Sequence, residues 1–138
     1  MTASDDRDGS RRVSTGAPWE ARVGYCRAVR RGPFVAVSGT APVGDNGDTV
    51  GVGDAYAQAR RCLEIATRAL EQLGANAGDV VRTRMFVTDI ARWEDYGRAH
   101  AEFFGEHRPA TTMVEVRKLI RDDMLVEIEV DAVLLRAE

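Results

Sequence analysis

The stretch that decides the fold is RPATTMVEV at residues 108–116, followed by MLVEIEV at residues 124–130. Both segments alternate in the manner of strands, because successive side chains of a strand point to opposite faces of the sheet. In the second segment the β-branched Val126, Ile128 and Val130 share one face, and Glu127 and Glu129 share the other. This pattern predicts a sheet with a hydrophobic core on one side only. What covers the acidic side, water or another chain, then decides the function.

The composition describes an ordinary globular domain of 138 residues, with 44% hydrophobic and 30% charged residues. The sequence has no apolar run long enough to span a bilayer and no apolar segment typical of a signal peptide, so we expect a cytoplasmic protein without a membrane partner. Cys26 and Cys62 are expected to be free thiols.

The charge balance argues against a nucleic-acid partner, because the net charge is −3 and the pI is near 5.5. Arg27, Arg30 and Arg31 cluster, but no aromatic residues interleave them, and the pattern favours a solvated strand end over an RNA-binding patch.

The N-terminal residues 1–18 are polar and nearly free of large apolar side chains, so they are predicted to form a disordered tail. Residues 19–138 are predicted to form a single domain. Its elements are expected to be two strands at 24–29 and 34–38, a helix from Asp54 to Leu73, a strand at 80–87, a helix between Asp89 and Gly105, and the two strands quoted above. The order β-β-α-β-α-β-β predicts an α+β fold with both helices on one face of the sheet.

The helix-free face is predicted to combine charged and apolar side chains. It would carry Arg82, Arg84, Phe86, Thr111, Met113, Glu115, Glu127 and Glu129. Two interpretations remain open at this point, an oligomer interface containing a polar cleft or a solvated face with weak ion pairs.

Motifs for other chemistries are missing. His100 and His107 lack the spacing of metal ligands, and no phosphate-binding glycine loop or nucleophile elbow occurs. We therefore expect no metal and no cofactor. The position of His100 on the apolar stripe of the second predicted helix favours a core histidine over a catalyst.

From about Trp19 to its C-terminus the chain resembles the Rid family, the YjgF-type reactive intermediate deaminases. The similarity is carried by the order and spacing of several short motifs: Gly24-Tyr25, Val37-Ser38-Gly39 with Pro42, Gly78-Asp79-Val80-Val81, Phe86-Val87-Thr88-Asp89, Glu102-Phe103-Phe104, Arg108-Pro109-Ala110, Val114-Glu115-Val116 and Val126-Glu127-Ile128-Glu129.

The resemblance implies a chorismate-mutase-like homotrimer with a small-molecule cleft at each subunit interface. It also implies hydrolysis of enamines and imines to a keto acid and ammonia, without metal or cofactor. Tyr25 matches the pocket tyrosine of the family, Gly39 matches the glycine of its Ser-Gly turn, and Glu127 matches the glutamate that positions or activates water.

The chain departs from the family pattern at the substrate clamp. Where the family has Pro-Ala-Arg-Ser, with an arginine for the substrate carboxylate, this chain has Thr111, and Met113 replaces a cysteine. Gly97 and His100 stand where an asparagine and a tyrosine are usual. Arg84, on the same predicted face as Phe86, is the candidate to replace the missing arginine.

Three functions are compatible with this sequence. The first is a hydrolase of a neutral or differently charged imine or enamine, with Glu127 as the catalytic residue and Tyr25 and Thr111 as hydrogen-bonding groups. The second is a non-catalytic, regulatory trimer that binds a metabolite. The third, ribonuclease activity, is opposed by the acidic charge balance. We favour the first.

Overall fold

The computed structural model of the protein describes residues 1–135. Its strands are β1 (Thr2–Asp5), β2 (Arg11–Ser14), β3 (Ala28–Arg31), β4 (Phe34–Thr40), β5 (Val80–Val87), β6 (Ala110–Glu115) and β7 (Val126–Val133). Its α-helices are α1 (Pro18–Val23), α2 (Ala55–Gln72) and α3 (Trp93–Phe104), and single 3₁₀ turns occur at Ala77–Asp79 and Ile90–Arg92. The strands form one mixed sheet in the order β1-β2-β3-β4-β7-β5-β6, in which only the β5–β6 pair is parallel.

The α+β fold and the element order from β3 to β7 confirm the sequence prediction. Asp54 caps α2 by accepting a hydrogen bond from the Ala57 amide, and the apolar stripe of the helix is buried against β4, β7 and α3. β5 has the predicted bounds, and α3 ends before Gly105 as expected. Among the described residues, no helix is both long and apolar enough to cross a membrane.

The central strand β7 has the predicted alternation. Val126, Ile128, Val130 and Ala132 are fully buried beneath the helices. Glu127 and Glu129 point to the face that the helices leave open, which we call the open face. The fold thus separates the core from the acidic side chains within one strand.

The predicted disordered tail over residues 1–18 is corrected by the structure. β1 and β2 form a hairpin that pairs with β3, and the side chain of Val13 is fully buried. The Glu20 carboxylate accepts a hydrogen bond of 2.8 Å from the Ser14 hydroxyl and ties the hairpin to α1. Composition shows only that this segment has few apolar side chains to bury. A polar segment can also be ordered by backbone hydrogen bonds at the edge of a sheet.

The chain after the hairpin also differs from prediction, because residues 18–23 form α1. Gly24 ends α1 with a φ of 90°, a left-handed conformation that glycine adopts without strain. The predicted strand at 24–29 therefore begins later, at Ala28.

The prediction for the faces of β6 is wrong. β6 pairs with β5 in a register that places Thr111 beside Thr83 and Met113 beside Met85, and both of those β5 residues are buried on the helix side. Thr111, Met113 and Glu115 therefore lie on the helix side of the sheet, not on the open face. Val114 is paired with Phe86 and lies on the open face, where it is 42% exposed.

The pairing register shifts near the start of β5, and this shift changes which of its first residues is buried. The ladder with β7 is irregular between Val80 and Arg82. As a result Val80 is buried and Val81 is largely exposed, whereas strict alternation from Thr83 and Met85 would place Val81 on the buried side.

The buried glutamine Gln58 joins α2 to the chain that leads into β7, and its removal should destabilise the fold. Its amide donates to the carbonyl oxygens of Asp123 and Gly51 and accepts from the Leu125 amide. Replacing Gln58 by leucine leaves these buried groups unpaired, so we expect Gln58→Leu to lose about 2–3 kcal/mol of unfolding free energy. Urea denaturation measures the loss.

The matched control is Gln72→Leu, since the Gln72 side chain is exposed at the end of the same helix. It should change the unfolding free energy by less than about 0.5 kcal/mol. Equal effects of the two substitutions would contradict the role assigned to Gln58.

Candidate functional site

Glu127 lies on the open face of β7 and packs over Gly39 of β4. β4 is irregular between Val37 and Thr40, the segment that contains Gly39. A Cβ atom at position 39 would lie 2.8 Å from Oε2 of Glu127, closer than side chains normally approach. Glycine therefore leaves the space that the carboxylate fills, which explains the residue type at this position.

Arg27 is the second charged group of this cluster. Its Nη2 donates a 2.7 Å hydrogen bond to the carbonyl oxygen of Gly39, and its guanidinium carbon lies 5.9 Å from the centre of the Tyr25 ring. Its Nε is buried without a hydrogen-bond partner in the described part of the chain. Tyr25, Arg27, Gly39 and Glu127 form what we call the Glu127 cluster.

The surroundings of Glu127 change its acidity. Burial raises the pKa of Glu127, the positive charge of Arg27 opposes that rise, and the negative charge of Glu129 adds to it. A carboxyl group with a raised pKa holds or accepts a proton closer to neutral pH than an exposed glutamate does. Such a group is suited to general acid–base chemistry with a bound water molecule.

Arg84 is engaged elsewhere on the open face. Its Nη1 lies 3.2 Å from an Asp131 oxygen and 3.5 Å from a Glu129 oxygen, and all three side chains are partly exposed. Phe86 lies on the same face, opposite Glu127 in the β5–β7 ladder. Arg84 and Thr111 are on opposite sides of the sheet, so their side chains do not meet within one chain.

Thr111 belongs to a separate group on the helix side. Its Oγ1 lies 2.6 Å from the Oγ1 of Thr83, which in turn lies 2.8 Å from Nε2 of His100 on α3. Met113 follows on the same side and packs against the core. The predicted site residues thus form two groups. Thr111 and Met113 are on the helix side of the sheet, and the other group consists of Tyr25, Gly39, Arg84, Phe86 and Glu127.

Two residues of these groups were missed in the sequence. Arg27 was assigned to a solvated strand end, although it is two residues from Tyr25 and alternation favours a common side. Thr83 was not singled out in the predicted strand at 80–87. A hydroxyl at a core position, which requires a hydrogen-bond partner, was the available signal.

These groups coincide neither with a metal centre nor with a depression on the surface near the start of β5. Within residues 1–135, no set of three or more His, Cys, Asp or Glu side chains is placed to hold a metal ion. A surface depression of about 460 Å³ is lined by Gly78, Asp79, Val81, Val133 and Leu135, none of them a predicted site residue.

Comparison with known proteins identifies relatives over most of the chain. The family model described as Endoribonuclease L-PSP matches residues 15–134. The chain is 38% identical to the 3-aminoacrylate deaminase RutC of Acinetobacter baylyi, over 75% of this chain and 82% of that protein. It is 36% identical to the 2-iminobutanoate/2-iminopropanoate deaminase of Salmonella typhimurium, over 81% of this chain and 87% of the relative.

The fold has a matching solved structure as well. The crystal structure of Rv2704 from Mycobacterium tuberculosis, described as a member of the YjgF/YER057c/UK114 family, superposes with a TM-score of 0.82. It is 50% identical in sequence, and the match covers 91% of this chain and 99% of that one. With the family model matching from residue 15 to residue 134, the chain belongs to the endoribonuclease L-PSP family, that is, the YjgF or Rid family.

Proposed function

We propose that this protein is a cofactor-free hydrolase that deaminates an imine, an enamine or a related C–N metabolite. The observation that carries the proposal is the Glu127 cluster, a half-buried carboxyl group with a raised pKa, held against Gly39 beside Arg27. The names of two relatives, which describe imine and aminoacrylate deaminases, point in the same direction.

In the proposed reaction Glu127 takes a proton from water as the water oxygen bonds to the carbon of the C=N group. The Glu127 carboxylic acid returns this proton to the nitrogen, which gives a carbinolamine. The hydroxyl proton of the carbinolamine then moves to the nitrogen as the C–N bond breaks, and the products are a carbonyl group and ammonia. General acid–base catalysis of this kind contributes about 10²–10⁴-fold in rate. The Tyr25 hydroxyl and the backbone at Gly39 would orient the bound molecule, and Phe86 would contact its apolar part.

The threonine at position 111 bears on the choice of substrate. A hydrogen bond to a charged group contributes about 1.5–3 kcal/mol, and bidentate pairing of arginine with a carboxylate is among the strongest. Thr111 has one hydroxyl and no charge, and Arg84 is already paired with Glu129 and Asp131. We infer that the natural substrate does not present a carboxylate to this position.

The active assembly is proposed to be a homotrimer with a cleft at each subunit interface. The open face carries apolar side chains beside its charged groups, and two of these, Phe34 and Val114, are 45% and 42% exposed. Thr111 and Glu127 are on opposite sides of the sheet in one chain. A cleft that uses both residues would therefore take Thr111 from one subunit and Glu127 from another.

The Glu127→Gln variant should lose activity and gain stability at neutral pH. Burial raises the folded-state pKa of Glu127, so ionisation lowers stability as pH rises from the unfolded to the folded pKa. Glutamine has no charge to bury. We expect ammonia release from freshly generated 2-iminopropanamide to fall about 10²–10⁴-fold. Unfolding free energy should exceed that of the wild type above the folded-state pKa, and this gain should vanish in acid.

Glu129→Gln is the matched control, since it removes a carboxyl group from the same face and strand. It should retain most of the activity and show no such pH-dependent gain. In Gly39→Ala the new Cβ would displace the Glu127 carboxylate, so activity should fall with little loss of stability. Full activity of Glu127→Gln would contradict the catalytic assignment. Saturable binding of the imine with no conversion by the wild type would favour a metabolite-binding trimer.

The trimer is tested by sedimentation equilibrium. We expect a mass three times the chain mass of 15.1 kDa. Val114→Glu should dissociate the assembly, because it buries a charge in the proposed interface. Val52→Glu, at an exposed loop position, should leave the mass unchanged. A monomeric wild type at micromolar concentration would exclude the proposed cleft.

A further inference from the structure

The side chain of Thr83 connects a histidine to the exposed edge strand. Thr83 is fully buried in the middle of β5, on the helix side of the sheet. Its Oγ1 lies 2.8 Å from Nε2 of His100 and 2.6 Å from Oγ1 of Thr111, both hydrogen-bonding distances. A buried hydroxyl group thus has two partners, one on α3 and one on β6.

The number of hydrogens available limits the order of the donors in this chain. Thr83 has one hydroxyl hydrogen, so it donates to one of its two partners, and the proposal below requires that partner to be Thr111. The remaining contact of Thr83 then requires His100 to donate from Nε2. Because the Thr111 oxygen already accepts a hydrogen bond from Thr83, its own hydrogen is directed to a third group outside the chain of hydrogen bonds.

The surroundings of His100 favour its neutral form. The His100 ring packs on Phe104, with ring centroids 4.8 Å apart, and burial lowers its pKa. A neutral imidazole carries a single N–H, on one of its two ring nitrogens. Because Nε2 contacts the Thr83 hydroxyl, donation from Thr83 to Thr111 requires the hydrogen of His100 to lie on Nε2.

We propose that His100 and Thr83 orient Thr111 as a fixed hydrogen-bond donor that selects an uncharged acceptor on the substrate. This inference rests on the proposed function and narrows it. The group that faces Thr111 is then a neutral carbonyl oxygen, as in an imine that carries an amide instead of a carboxylate. Thr111 is the residue that touches the substrate, and Thr83 and His100 are positioning residues.

A neutral acceptor suits this donor for two reasons. One oriented hydroxyl satisfies one lone pair of an amide oxygen, and the buried chain behind it supplies no net charge while His100 is neutral. A carboxylate would lose its hydration without gaining a cation in return. An oriented donor also requires no rearrangement when the substrate binds, which is the advantage of preorganisation.

The test compares Thr83→Val with Thr83→Ser, using 2-iminopropanamide and 2-iminopropanoate as probes. Valine retains the shape of threonine but breaks the chain, and serine retains the hydroxyl. We expect Thr83→Val to lower the amide-to-carboxylate ratio of kcat/KM about three- to tenfold, through KM for the amide, and Thr83→Ser to restore it. An unchanged ratio in Thr83→Val would overturn the inference, whereas a general loss of stability would lower both kcat/KM values together.

A second measurement does not depend on turnover. Nitrogen NMR of the wild-type imidazole reports which ring nitrogen of neutral His100 carries the hydrogen. The inference requires the hydrogen on Nε2, and a spectrum with it on Nδ1 would overturn the proposed order of donors. If the wild type converts neither probe, the proposed hydrolase function fails, and this spectrum still decides the orientation of Thr111.

Discussion

The structure depends on the alternation of side chains along β7. This strand lies between β4 and β5, so its position fixes both neighbours and the two faces of the sheet. One face buries its apolar residues under the helices, which supplies the core, and the other displays Glu127, Glu129 and Asp131. A row of like charges on one strand requires compensation. Arg84 forms ion pairs with two of these carboxylates. Arg27 donates a hydrogen bond to the carbonyl oxygen of Gly39, the residue against which the third carboxylate packs.

The three acidic side chains differ in how far a neighbouring arginine compensates their charge. Glu129 and Asp131 share an ion pair with Arg84 that is partly exposed, and such pairs contribute little to stability. Glu127 is more confined, and the positive charge of Arg27 only partly offsets the effect of its burial. A fold that keeps an acid under these conditions gives up some stability, a feature often found at functional sites.

The local sequence patterns predicted most of the fold because they depend on neighbouring residues alone. The cap at Asp54, the stripe of α2 and the alternation in β5 and β7 belong to this class. The faces of β6 were predicted wrongly, because alternation does not show which of the two faces lies under the helices. Pairing with β5 places Thr111 and Met113 on the helix side and Val114 on the open face. Residues 1–14 form a regular hairpin because β2 pairs with β3, and composition alone does not predict this pairing.

The same distinction applies to the candidate site. Alternation placed Glu127 on the acidic face, and the resemblance to the Rid family supplied Tyr25 and Gly39. Arg27 and Thr83 escaped notice because their roles arise from contacts between distant segments, with Gly39 in one case and with His100 and Thr111 in the other. The replacement of an arginine by Thr111 is visible in the sequence, but the hydrogen bonds that orient its hydroxyl are visible only in the fold.

We propose that this member of the family hydrolyses an imine that does not present a carboxylate to Thr111. The most direct measurement is the wild-type kcat/KM for ammonia release from 2-iminopropanamide and from 2-iminopropanoate, each generated in place and corrected for spontaneous hydrolysis. We expect a higher value for the amide. A higher value for the carboxylate would contradict the proposal, because the substrate anion would then be recognised without the arginine.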